Sequence, residues 1–185
     1  MGAAVMSRAR RTLDLGCGGA KTPGAVGMDR LPLPGVDVVA DLDAPCLPFA
    51  GETFDEIVMA DALEHVADVR RALAESARIL AEGGVITVRV PHFTSLHAYS
   101  DVTHRHFFSA EGVRRLMEAA PEPSPHLAVP GLVLTSLRIR MWRLWRLVGV
   151  EALANRFPTT YEKLFAFIFP AMSLEFRLTK QHKVY

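Results

Sequence analysis

Apolar runs broken by glycine, proline or acidic residues predict most of the elements. Residues 13–15 form a short apolar run that stops at Gly16-Cys17-Gly18-Gly19, and residues 25–28 form another that ends on Asp29. A valine-rich stretch, 36–40, ends on Asp41-Leu42-Asp43 and reads as a buried strand. Residues 54–60 make a central apolar strand and 85–90 a fifth, which Pro91 stops. Between them Val69, Ala72, Leu73, Ala77 and Leu80 fall on one helical face. Asp68 is the expected N-cap of that helix, and Gly83-Gly84 are expected to close it. Ser109 is expected to cap a short helix reaching about residue 120, stopped by Pro121 and followed by a PEPSPH linker. Residues 132–142 and 172–179 read as two long strands, with a mostly helical stretch, 144–169, between them.

The glycine turn after the first strand is the chemical centre of this pattern. Glycines let the backbone turn sharply and approach a ligand, and a carboxylate at the tip of the next strand can hold ribose hydroxyls. That is the layout of a Rossmann-type nucleotide site. A dinucleotide fingerprint would place a third glycine at position 21, opening a helix under a pyrophosphate. This chain has Lys21 there and Pro23 soon after, so a ligand without a pyrophosphate fits better than NAD.

Four segments in order, DLGCGG with Asp29, then ADLD, FDEIVMADALEHV and RILAEGGVITVRVP, resemble the class I S-adenosylmethionine (SAM) dependent methyltransferases, nearest their small type 11 branch. The resemblance covers residues 13–91 and, more loosely, 93–108. It implies an α/β, Rossmann-like methyltransferase fold: a mostly parallel seven-stranded sheet with an antiparallel edge hairpin made by the two long strands. Too few residues separate Gly19 from Val26 for the family's first helix, so that helix should be shortened or absent. SAM is the implied cofactor. Its implied contacts are Asp14, Gly16, Cys17 and Gly18 on the first strand and turn, Asp29 on the ribose, and Asp41 with Leu42 at the adenine. Ala60, Asp61 and His65 follow at the end of the fourth strand.

The bulk properties narrow this further. The chain has 185 residues, expected to form a single domain with residues 1–10 as a flexible tail. Its formal net charge is +1, so no global field points to nucleic acid. Cys17 and Cys46 make no disulfide framework, and no apolar run reaches the roughly 20 residues that cross a bilayer. The N-terminus lacks a secretory pattern, so the expectation is cytoplasmic.

Methyl transfer needs acceptor and methyl held about 3 Å apart and in line, with a base where the acceptor carries a proton. His92, His97, His104 and His106 follow the fifth strand, at the ligand-binding end of the sheet. His104, His106 and His92 are the candidate bases, and His97, Asp101 and Arg105 the candidate acceptor contacts. His104 and His106 are expected to share a face of an extended stretch, with Arg105 opposite. No metal is expected, because the spacings match no standard zinc pattern. The expected acceptor is a small or glycan-like molecule methylated on oxygen or nitrogen. The alternative is a non-catalytic SAM-binding module or the partner subunit of another methyltransferase. Arg138, Arg140, Arg143 and Arg146, interleaved with Trp142 and Trp145, are expected on the solvent side of an edge strand rather than on lipid, although peripheral membrane contact stays open. Phe165, Phe167 and Phe169 are expected in the core or at a face between copies of the chain.

Overall fold

In the computed structural model, residues 10–117 and 129–181 are described. The PEPSPH linker, the end of the helix before it and most of the expected N-terminal tail therefore lie outside the described residues. Among the described residues, seven strands form one sheet: β1 Thr12–Leu15, β2 Val26–Asp29, β3 Val38–Val39, β4 Phe54–Ala60, β5 Leu80–Pro91, β6 Leu132–Met141 and β7 Ala171–Lys180. Their order is β3-β2-β1-β4-β5-β7-β6. The first five pair in parallel, and β7 runs antiparallel between β5 and β6. The antiparallel edge pair is thus present. Three short helices, α4 Arg143–Leu147, α5 Val150–Arg156 and α6 Pro158–Leu164, join its two strands where a hairpin would have a turn.

The expected strand at 36–40 is only two residues long, because Gly35 and the Asp41-Leu42-Asp43 turn bend the chain at both ends. Helix α1, Val69–Ile79, begins at Asp68, whose carboxylate accepts from Arg70 and Arg71 N–H. It ends earlier than the glycines suggest. Leu80 is already extended, its buried side chain paired into the sheet opposite Phe54. Gly83 and Gly84 instead lie inside β5, where a register shift separates the Leu80 pairing from the regular ladder that starts at Val85. Gly83 takes a φ of +71°, and a Cβ on Gly84 would sit 2.8 Å from both the Ala81 carbonyl and the Leu80 side chain. The glycines serve a strand irregularity, not a helix cap.

No helix follows β1, as the short spacing after Gly19 implies, and among the described residues none follows β2 or β3 either. The burial pattern reflects this. Ile57, Met59, Ile86, Val88, Leu174, Phe176 and Leu178 are buried, while the alternating residues Glu56, Val58, Thr87, Arg89, Glu175 and Arg177 are not. Leu73 and Ile79 of α1 are fully buried, each contributing roughly 1.5–3 kcal/mol. Helix α3, Ala110–Met117, is capped by Ser109, whose Oγ accepts from Gly112 N–H at 2.9 Å. Arg140 on β6 pairs with Glu175 at 2.7 Å, and Trp145 packs edge-on against Phe169. Phe165 and Phe167 do not join the core: Phe167 is 81% exposed, on the loop that leads from α6 into β7. No helix among the described residues is long and apolar enough to cross a membrane.

Candidate active site

β1 delivers the chain into a turn at Gly16, where φ is +73° and an added Cβ would lie 2.5 Å from Ala62 Cβ. Only glycine fits that position. The Gly16 and Cys17 N–H groups both donate to the Met28 carbonyl. Gly18 N–H donates to Asp29 Oδ2 at 2.9 Å, and Thr22 N–H to Asp14 Oδ2 at 2.7 Å. Lys21, the residue that argues against a dinucleotide, lies over Gly27 and pairs with Asp37 at 2.6 Å. These bonds hold, as a loop, the stretch that has no room for a helix.

Beside this turn lies a cleft of about 400 Å³. Gly16, Gly18, Asp29, Asp41, Leu42, Asp61 and His65 line it, as the sequence suggests. Arg30, Asp43, Thr103 and Arg105 line it too. Asp29 accepts one N–H on each oxygen, from Gly18 and Leu31, which leaves acceptor capacity for ribose hydroxyls. The turn that excludes any side chain and this partly satisfied carboxylate suit a nucleoside cofactor. Three expected contacts sit elsewhere. Asp14 is buried beneath the turn and holds Thr22. Cys17 points inward towards Gly27, and burial, with Asp14 and Asp29 near it, pushes its thiol up. Ala60 lines a groove on the less covered face of the sheet. Asp14 and Cys17 are buried on the core side of the strand and loop, Ala60 opens onto that groove, and none of the three lines the cleft.

Asp61, His65 and Asp101 are shared with a second cleft of about 490 Å³, lined also by Glu64, Arg89, His97, His104 and Ser173. Asp61 has a positive φ, 54°, and its carboxylate pairs with Arg89. A strained backbone of this kind clusters at functional sites. Glu64, in the short 3-10 turn Leu63–His65, is 1% exposed, and neither carboxylate oxygen has a hydrogen-bond partner. Burial, with a smaller push from Asp61, raises its carboxyl to about 7, against the pull of its own backbone N–H and of His104. His104 Nε2 lies 3.9 Å from Glu64 Oε1, while its Nδ1 is 2.9 Å from the Ala98 carbonyl. His65 packs edge-on against His104, with ring centroids 4.6 Å apart. Burial, and then His104, holds the His65 imidazole below its usual range. Its Nδ1 is 2.9 Å from Thr103 Oγ1, which donates to Asp101 Oδ1 at 2.7 Å. Glu64 was missed in the sequence, although it stands beside His65 directly after the central strand.

The other expected bases lie elsewhere. His92 is 0% exposed: its Nδ1 accepts from Thr94 and its Nε2 reaches Glu162 Oε1 at 3.3 Å. It is a core histidine with both nitrogens occupied. His104 and His106 do not share a face. Arg105 and His106 N–H both donate to the Glu64 carbonyl, at 2.8 and 3.2 Å, which bends the segment into a turn instead of a pleated strand. His106 Nε2 then lies 2.9 Å from the Val66 carbonyl and lines a separate groove with Phe107. Arg105 faces the first cleft, where the opposite side of the chain was expected to carry the histidines. His97 borders the second cleft, 5.9 Å from the Trp142 ring centroid.

Comparison with known proteins agrees with this geometry. A family described as "Methyltransferase domain" matches residues 3–120. Demethylmenaquinone methyltransferase of Thermobifida fusca (strain YX) is 48% identical over 54 residues, which is 29% of this chain and 22% of that protein, so the chain spans under a quarter of that relative's length. A SAM dependent methyltransferase from Archaeoglobus fulgidus superposes with a TM-score of 0.61 at 18% identity, covering 92% of this chain and 86% of the other. One from Mesorhizobium loti gives 0.56 at 16%, covering 92% and 91%. A Haloferax volcanii putative methyltransferase in complex with the activator Trm112 gives 0.57 at 19%, covering 94% and 83%. At such identities these structures establish the shared fold, and the family match, which spans most of the chain, establishes the rest: the chain belongs to the methyltransferase domain family, whose cofactor is SAM.

Proposed function

We propose that this domain methylates an oxygen or nitrogen of a small-molecule acceptor held in the second cleft. The observation that carries the reading is the common wall. Asp61, His65 and Asp101 belong to both clefts, so a ligand in one lies against a ligand in the other. SAM supplies an electrophilic methyl group. Gly16 and Gly18 would let it approach the backbone, and Asp29 would hold its ribose. The protein's own work is on the acceptor side. Glu64 and the bare Nε2 of His104 point a proton-accepting surface at the acceptor's hydroxyl or amine, and the buried Ser173 hydroxyl, which has no partner, offers one more contact. A carboxyl raised by burial takes up a proton near neutral pH better than an exposed carboxylate does. The local likeness to a protein named for demethylmenaquinone favours a small molecule over a macromolecule.

The test is S-adenosylhomocysteine formation with panels of phenolic, hydroxylated and amine acceptors, alongside calorimetric titration of SAM. SAM binding with turnover on one class is expected. SAM binding with no turnover on any class would favour a non-catalytic SAM-binding module, and NADH binding tighter than SAM would overturn the cofactor.

A further inference from the structure

We infer that Glu64, His65 and His104 form a binding site for a first-row divalent cation such as Zn²⁺, Co²⁺ or Mn²⁺. One ligand atom from each lies within 4.8 Å of the others. Two ligands on a tetrahedral ion at its usual bond length stand about 3.4 Å apart, so small side-chain rotations close the set. Two imidazoles and one carboxylate are a donor set for transition metals, whereas Mg²⁺ and Ca²⁺ favour oxygen alone.

Three observations point to a cation and not to ordinary packing. First, Glu64 is 1% exposed and no other residue hydrogen-bonds either oxygen, although a buried carboxylate ordinarily carries hydrogen bonds. Second, both histidines are oriented from behind. His104 Nδ1–H can donate to the Ala98 carbonyl, and His65 Nδ1–H to Thr103 Oγ1, whose own proton goes to Asp101. Each ring is thereby left with an Nε2 lone pair and nothing to spend it on, the arrangement that supporting groups give to metal-binding histidines. Third, the cluster opens onto the 490 Å³ cleft, so coordination positions remain for water or an acceptor. The basic neighbour, Arg89, is already paired with Asp61.

The ion's place in catalysis rests on the function proposed above; its binding does not. There, because it takes up the lone pairs that Glu64 and His104 offer as bases in the metal-free site, it would replace them by holding an acceptor oxygen against the cofactor cleft and acidifying its hydroxyl, whose proton leaves to water. Such a site selects acceptors with two neighbouring oxygen donors.

The test uses the untagged full chain, stripped with a chelator and titrated separately with Zn²⁺, Co²⁺ and Mn²⁺, with SAM titrated in parallel. One ion per chain is expected, and a cobalt visible spectrum typical of a site with nitrogen and oxygen donors. Glu64→Gln and His104→Ala should each weaken binding by at least about 100-fold, and Thr103→Val, which removes the support of His65 together with the bond to Asp101, by roughly 10–100-fold. His106→Ala should bind as the parent does. Absence of stoichiometric binding of all three ions by the wild type overturns the site, and so does unchanged affinity in folded Glu64→Gln and His104→Ala. The wild-type cobalt spectrum needs no substitution, so a misfolded variant leaves the answer intact. Metal binding without SAM binding would uphold the site and sink the function; the converse would do the reverse.

Discussion

Two buried carboxylates, each beside a histidine, sit on opposite sides of the fifth strand's exit and differ in one respect. Glu162 is fully engaged: its oxygens accept Ala110 N–H at 2.5 Å and Glu111 N–H at 3.1 Å, at the N-terminus of α3, and the imidazole of His92. Burial pushes its carboxyl up, but the His92 bond and the two backbone N–H groups outweigh it and hold it below the usual range. Glu64 is more deeply buried and has none of these partners, so its carboxyl is pushed the other way. A satisfied buried charge joins elements of the fold. An unsatisfied one stores binding capacity for something that is not protein. His92 belongs with the first and His65 with His104 to the second, a division that histidine spacing does not show.

The contrast can be broken most forcefully at Glu64. Glu64→Gln should lower methyl transfer by about 10²–10⁴ with folding and SAM affinity intact; full turnover in that variant would place the acceptor chemistry elsewhere. Glu162→Ala should do the opposite, costing about 3–5 kcal/mol of stability by stranding His92 and the α3 N-terminus. In thermal melts that is a fall of roughly 6–20 °C, and an unshifted melt would show that the network contributes nothing.

The two should also diverge with pH in metal-free protein. Glu162 is depressed in the fold, so its stabilisation is complete above the ordinary carboxylate range and is lost as pH falls through its depressed value. Glu64 is raised to about 7, so the folded chain keeps a proton that the unfolded chain gives up, and stability falls as pH rises from the ordinary range towards 7. Glu64→Gln should therefore gain on the parent across that window, by on the order of 3 kcal/mol at its top. Denaturant titrations at several pH values read both slopes, and parallel curves for parent and variant would remove the assignment. Asp29 is the intermediate case, with one N–H on each oxygen and capacity left over. Asp29→Ala should weaken SAM by about 1–3 kcal/mol in calorimetry; undiminished affinity would take it out of the cofactor cleft. The smallest effect belongs to His106→Ala, which should leave turnover within about twofold, since its ring faces the Val66 carbonyl. A loss near that of Glu64→Gln would restore it as a base.

The sequence alone determined the sheet, the glycine turn, the missing first helix and the two acids at the ends of β2 and β3. Those features are written locally: short apolar runs bounded by glycine, proline or acidic residues, a glycine where φ must be positive, and a spacing too short for a helix. The tertiary structure decided which histidine does what. Facing in the segment 93–108 depends on a turn closed by the Glu64 carbonyl, 41 and 42 residues before the N–H groups of Arg105 and His106 that it accepts. Glu162 lies 70 residues beyond the His92 that it occupies. Whether a buried carboxylate finds partners is settled only when distant elements pack, and burial without partners leaves no mark on neighbouring residues in the chain. For that reason Glu64, which lies between Asp61 and His65 of the same motif, became visible only in three dimensions.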